Sequence, residues 1–255
     1  MAGKRNADRE KNSRRVGNPQ REDQEKEKIM SKGKLIVIEG TDGSGKRTQS
    51  ELLYKHLTKL HIKSAMMHVP VYESFTGELI ARYLRNEFGR LNPYLAATLF
   101  AVNRFQFRDK IVNWLKEGRV VVLNRYVTAN QIHQSAHLHG KEKAEFIKWI
   151  GKMEYEIFAM PKPDLTLFLN VPVLIASGMI KRKPAKERKY AFGGKEDILE
   201  SDLMHQQEAL KQALRMAGTD KNSRQINAAG KTALLPKAEI AAMIWSEVSK
   251  FLKIK

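Results

Sequence analysis

Residues Gly40-Thr41-Asp42-Gly43-Ser44-Gly45-Lys46-Arg47-Thr48 concentrate the chemistry that a phosphate ester needs. Glycines let successive backbone N–H groups converge on phosphate oxygens. A helix opening at the end of the loop adds its positive N-terminal pole, and Lys46 adds a full charge. The fit to G-x-x-x-x-G-K is complete through Lys46. The motif then calls for Ser or Thr, whose hydroxyl reaches Mg²⁺. Here Arg47 takes that place and Thr48 follows one position late. The bland alternative is a Gly-rich strand–helix turn without a ligand, against which the spaced matches after a strand and before a helix weigh.

Three further groups carry chemistry. Phe100 and Arg104 are four residues apart, so on a helix the ring and the guanidinium share a face. Taken alone, that pair reads as a core ring beside a surface charge. Asn124-Arg125-Tyr126 ends an apolar run, and Lys181, Arg182, Lys183, Lys186, Arg188 and Lys189 crowd one segment. Cationic side chains closing over a transferring phosphoryl group stabilise its spreading charge.

These groups need elements to position them. Leu35–Ile38 is a buried-strand run, and Thr48–Leu60 repeats leucine at helical spacing. Further strands are expected at Ser64–Val69, Val120–Leu123, Leu165–Leu169 and near Gln225–Ala228. Helices are expected over Phe75–Phe88, Pro93–Glu117, Thr128–Leu138, Lys141–Met160, Pro172–Lys183, Glu196–Ala217 and Lys237–Leu252. Strands alternating with helices imply a parallel sheet covered on both faces, with ligands at the carboxyl ends of its strands.

Composition bounds the rest. A chain of 255 residues with 42% hydrophobic side chains can bury a full core. No apolar run approaches the roughly 20 residues of a membrane span. The N-terminus is charged from Lys4 onward without an apolar stretch, so no secretory signal is expected. Cysteine is absent, which excludes disulfides, thiolate metal sites and thiol catalysis and fits the cytoplasm. Residues 1–33 hold few large apolar side chains and read as a disordered basic tail before a domain at 34–255. The net charge of +18 lies mostly on the body, where it could steer nucleotides, bind nucleic acid or simply be solvated.

Leu35–Gln49 resembles the phosphate loop of the thymidylate kinase family, and the resemblance continues across nearly all of 34–255. It implies an α/β fold, the three-layer P-loop kinase type, with a five-stranded parallel sheet and a short basic lid. The implied reaction moves the γ-phosphate of ATP, with Mg²⁺, onto dTMP to give dTDP, in a homodimer. ATP would lie on Gly40, Thr41, Asp42, Gly43, Ser44, Gly45, Lys46, Arg47 and Thr48, and some bacterial members also carry Arg after the Lys. The acceptor site would comprise Pro70, Tyr72, Phe100, Arg104, Arg125, Asn130, His133 and Gln134. In it Phe100 stacks the base, Arg104 reaches the base or its phosphate, Asn130 bonds the pyrimidine edge and His133 lies near the sugar. Lys46, Arg125 and Asp42 would act in catalysis with a lid arginine, Arg182 or Arg188, because Gly43 fills the loop position where other members carry one. Asp42 and Glu200 are the implied acidic residues near the metal.

Two departures stand out. Val71 occupies the place of an Arg that clamps the acceptor phosphate, and Asn124 replaces the Asp of Asp-Arg-Tyr. They leave two alternatives open: a kinase for another pyrimidine monophosphate, or a nucleotide-binding protein with impaired catalysis.

Overall fold

The structure, a computed structural model, describes residues 32–181 and 202–254. The strands are β1 (Lys34–Gly40), β2 (Ser64–His68), β3 (Val120–Asn124), β4 (Leu165–Asn170) and β5 (Ser223–Asn227). All pair in parallel, in the order β2-β3-β1-β4-β5. Side chains of a strand alternate between faces, and β1 shows why both faces must be covered. Leu35 and Val37 join one core with Val121, Leu123 and Ile111, while Ile36 and Ile38 join another with Val120, Val122 and Leu165.

Helices α1 (Lys46–Lys59) and α9 (Lys237–Leu252) cover the Ile36 face. On the other face lie α3 (Pro93–Gln106), α4 (Arg108–Lys116) and α6 (Gly140–Gly151). Helix α8 (Leu203–Thr219) packs Ala209 and Ala213 on Phe168 of β4 beside Ile132 of α5 (Val127–His133), α2 (Phe75–Leu84) packs on α3, and α7 (Val173–Lys181) follows β4. This is a three-layer α/β/α fold. Register places Ile38, His68 and Asn124 side by side at the carboxyl edge, so the phosphate loop leaves β1 between β3 and β4.

Several boundaries differ from the sequence reading. The helical stretch at 93–117 is two helices, turned at Phe107 where φ is −106°. No Pro or Gly marks that turn; Phe107 instead packs into the core between the helices and the sheet. The pattern at 141–160 continues past α6 only as one π turn, Lys152–Ile157, before Ala159 takes φ 50°. Helix α2 stops at Leu84, and Asn86 follows with φ 61°. Of the tail expected at 1–33, residues 1–31 lie outside the described residues; Gly33 N donates to Leu115 O at 2.9 Å.

Candidate active site

The loop at 40–48 bends through positive φ at Gly40, Gly43 and Gly45. A Cβ at Gly43 would meet Ala176 O of α7 at 2.1 Å, so this position admits no arginine. Lys46 is buried, donates to Thr41 O at 2.7 Å and stands 3.8 Å from Asp42 Oδ1. Thr41 Oγ1 and Ser44 Oγ are buried without a partner among the described residues. Arg47 is exposed and donates to Glu51 Oε1 at 3.0 Å.

Arg125 carries φ 67° and donates its Nη2 to Asp42 Oδ1, which ties the end of β3 to the phosphate loop. Burial alone would raise the Asp42 pKa. Arg125 and then Lys46 overcome that and hold the carboxyl well below the usual carboxylate range. Asp42 is therefore ionised at any physiological pH. Asn124 Nδ2 lies 3.1 Å from His68 Nδ1, and its Oδ1 is buried without a partner among the described residues. Arg125 is thus pinned by a charge although Asn124 has none.

The acceptor candidates line the same cleft of about 1170 Å³, together with the phosphate loop. Phe100 and Arg104 come from α3, Asn130 and His133 from α5, and Pro70 and Tyr72 from the loop after β2. Phe100 packs edge-on against Tyr83, with centroids 6.4 Å apart. Burial, then Arg125, pushes the His133 imidazole well below its ordinary pKa, so it faces the cleft neutral. Gln134 is a buried neighbour of His133 on the same wall. Arg104 is not the loose surface charge that its spacing alone allows. Its Nε and Nη2 both donate to Glu154 at 2.6 Å, and both side chains are almost fully buried.

A family model for thymidylate kinase matches residues 38–237. The chain belongs to the thymidylate kinase family. It is 33% identical over 161 residues to the thymidylate kinase of Mycobacterium tuberculosis, covering 60% of this chain and 75% of that protein. Over 194 residues it is 30% identical to the Schizosaccharomyces pombe thymidylate kinase, covering 76% and 87%. The solved thymidylate kinase of Candida albicans superposes with a TM-score of 0.66 at 27% identity, covering 87% and 93%. The fold carries the P-loop kinase architecture of this family.

Three buried residues that support this family site carry no motif in the sequence. Glu39, at the end of β1, accepts from Tyr126 N and Thr128 Oγ1, both at 2.9 Å. It caps α5, whose own N-cap residue Tyr126 offers no side-chain acceptor, and so braces the turn that aims Arg125. Burial raises the Glu39 pKa, with Arg125 the strongest opposing influence. Asn103 pairs with both backbone groups of Val71, at 2.9 and 3.3 Å, and also donates to Ser74 and Thr76. It fixes the loop at Val71. Glu154 is the third. Each makes its contacts to residues at least 24 positions away, so local spacing gives no sign of it.

Arg182, Arg188 and Glu200 lie outside the described residues, as does most of the basic segment. Among the described residues no cluster of three His, Cys, Asp or Glu is arranged for a metal. The donors present still fit Mg²⁺. Asp42 supplies one ionised oxygen, and Asn124, on the same cleft, supplies a neutral Oδ1 that has no partner among the described residues. That set suits an ion that keeps several waters and takes phosphate oxygens as its other ligands.

Proposed function

We propose that this chain phosphorylates dTMP to dTDP with ATP and Mg²⁺, in the cytoplasm. The observation that carries the reading is the Arg125–Asp42 pair. It couples the phosphate loop to a second pocket, in one continuous cleft, that holds an aromatic ring, an amide and a guanidinium. ATP phosphates would rest on the loop backbone and Lys46. The base of ATP would lie against the far wall at Leu234, Leu235 and Pro236. There Gln49 donates to Lys237 O at 3.1 Å and keeps its Oε1 buried, with no partner among the described residues.

The acceptor phosphate is already an anion, so the reaction needs alignment and charge neutralisation more than a base. Arg125 would grip that phosphate, and Asp42 would hold the arginine in place. Asp42 and Asn124 are the residues that would hold Mg²⁺ and its waters, and the ion would supply positive charge to the phosphates of ATP. One lid arginine would cover the transferring group, and the crowding of Gly43 against α7 supports that assignment. Phe100 would stack the thymine, and His133 would lie near the sugar.

We also infer a homodimer. Leu95, Val102 and Phe105 leave one face of α3 apolar and exposed, and Phe105 stacks on Phe158 just after the π turn. The test of function is a coupled assay with ATP, Mg²⁺ and a panel of dTMP, dUMP, dCMP, UMP and GMP. The highest kcat/KM is expected for dTMP. A faster reaction with dCMP or a purine monophosphate would overturn the reading. A protein that binds dTMP and ATP but turns over nothing would favour the impaired alternative.

A further inference from the structure

We propose that Glu154 sets the base specificity of the acceptor pocket by locking Arg104 and Asn130 into a single polarity. The proposal rests on the dTMP reading above and deepens it. Glu154 is fully buried in the π turn that follows α6. Its Oε2 accepts from Arg104 Nε and its Oε1 from Arg104 Nη2, both at 2.6 Å. The same Oε1 accepts from Asn130 Nδ2 at 3.0 Å, and Asn130 Nδ2 also donates to Ala97 O at 2.8 Å.

An amide nitrogen carries two hydrogens, and both are directed here at oxygens that only accept. Reversing the amide would set Asn130 Oδ1 against those two oxygens. Asn130 therefore offers a ligand its Oδ1 alone. That atom is buried and has no partner among the described residues. A free amide serves a base as both donor and acceptor, but this one serves as an acceptor. Arg104 is fixed in the same way: Glu154 takes Nε–H and one hydrogen of Nη2, and every N–H that remains, those of Nη1 included, can only donate. Both residues line the cleft with Phe100.

The pocket thus holds one immovable acceptor and one immovable donor beside a stacked base. Thymine answers both, N3–H donating to Asn130 Oδ1 and O4 accepting from Arg104 Nη1. Cytosine in the same pose inverts both atoms. Its bare N3 faces Oδ1 and its 4-amino group faces Nη1. A buried site built for one hydrogen-bond pattern rejects its inverse strongly. Only an acceptor on both oxygens can impose this, because an amide at 154 would turn an N–H toward Arg104 or Asn130.

The test compares dTMP with dCMP on the wild-type chain, Glu154→Gln and Glu154→Asp, by coupled turnover and by calorimetric binding. In Glu154→Gln the dTMP-to-dCMP ratio, of kcat/KM and of affinity, is expected to fall roughly tenfold or more with the KM for ATP unchanged. Glu154→Asp keeps the charge opposite Arg104 but has a shorter reach toward Asn130. It should keep the melting temperature and lower the ratio, and it decides the matter if Glu154→Gln does not fold. An unchanged ratio in the folded variants overturns the proposal. So does an equal loss for dTMP, dCMP and ATP, which marks a packing role alone. A wild type that itself prefers dCMP overturns the functional reading instead. If wild type binds without turnover, the affinity ratios still decide the role of Glu154.

Discussion

Lys46 concentrates what the phosphate loop does. Its ammonium is held by Thr41 O and lies near Asp42, and its side chain makes no part of the apolar cores. Lys46→Ala should abolish phosphoryl transfer while the melting temperature stays close to wild type; purified variant and wild type run side by side would show it. Asp42 and Asn124 divide a task that one Asp usually shares. Asp42 holds Arg125, whereas Asn124 turns its amide to His68. Asp42→Asn should therefore reduce the rate far more than Asn124→Ala. Asn124→Asp should keep or raise the rate and lower the Mg²⁺ concentration for half-maximal activity, because an ionised oxygen replaces a neutral one. Rates titrated against Mg²⁺ for these variants separate the outcomes. The phosphate loop was legible in the sequence because its residues are consecutive and their spacing is chemical. Local spacing gives no sign of Asp42's hold on Arg125, since the two stand 83 positions apart and meet only across the sheet edge; what singled out Asp42 was the missing charge at Asn124.

At the scale of elements, α5 shows how a helix can depend on a strand for its cap. Glu39 satisfies Tyr126 N and Thr128 Oγ1 from β1. Glu39→Ala would leave two donors unpaired in a buried place, at a cost of about 1–3 kcal/mol. It should lower the melting temperature and raise the KM for dTMP through a misaimed Arg125. Both bonds fall on Oε1, so Glu39→Gln, which retains that oxygen, should recover most of both losses. Equal damage in the two variants would mean that the charge, and not the cap, matters. Element order and type followed from apolar periodicity, which reports burial directly. The breaks at Phe107 and at the π turn did not, because periodicity continues through them; Phe107 and Met153 both still face the core. Glu154 belongs to the same class of omission. A Glu in an amphipathic helix reads as solvated, and only packing of α3 and α5 against the π turn seals it in.

Across the whole molecule, the histidines make stability depend on acid. His205, at the start of α8, has its pKa lowered to about 4, first by burial and then by His137. His133 is lowered too, by burial and Arg125. A histidine that resists protonation when folded takes up a proton more readily once unfolded. Unfolding is therefore favoured as pH falls from about 6.5 toward about 4, and the stability is fully present above that window. Melting temperature should drop across that range at constant salt. The drop should shrink in His205→Gln, where the residue no longer titrates. A flat profile in wild type would contradict the assignment. Helix α3, finally, has two working faces. Phe100 and Arg104 line the proposed acceptor pocket, while Leu95, Val102 and Phe105 look outward along the face we assign to a second copy. Pressure on one face is felt on the other, since the helix is a single rigid rod. Specific activity should then vary with the amount of protein in the cuvette. On serial dilution the KM for dTMP would climb as partners separate, whereas the KM for ATP, bound at the far end of the cleft, would hold.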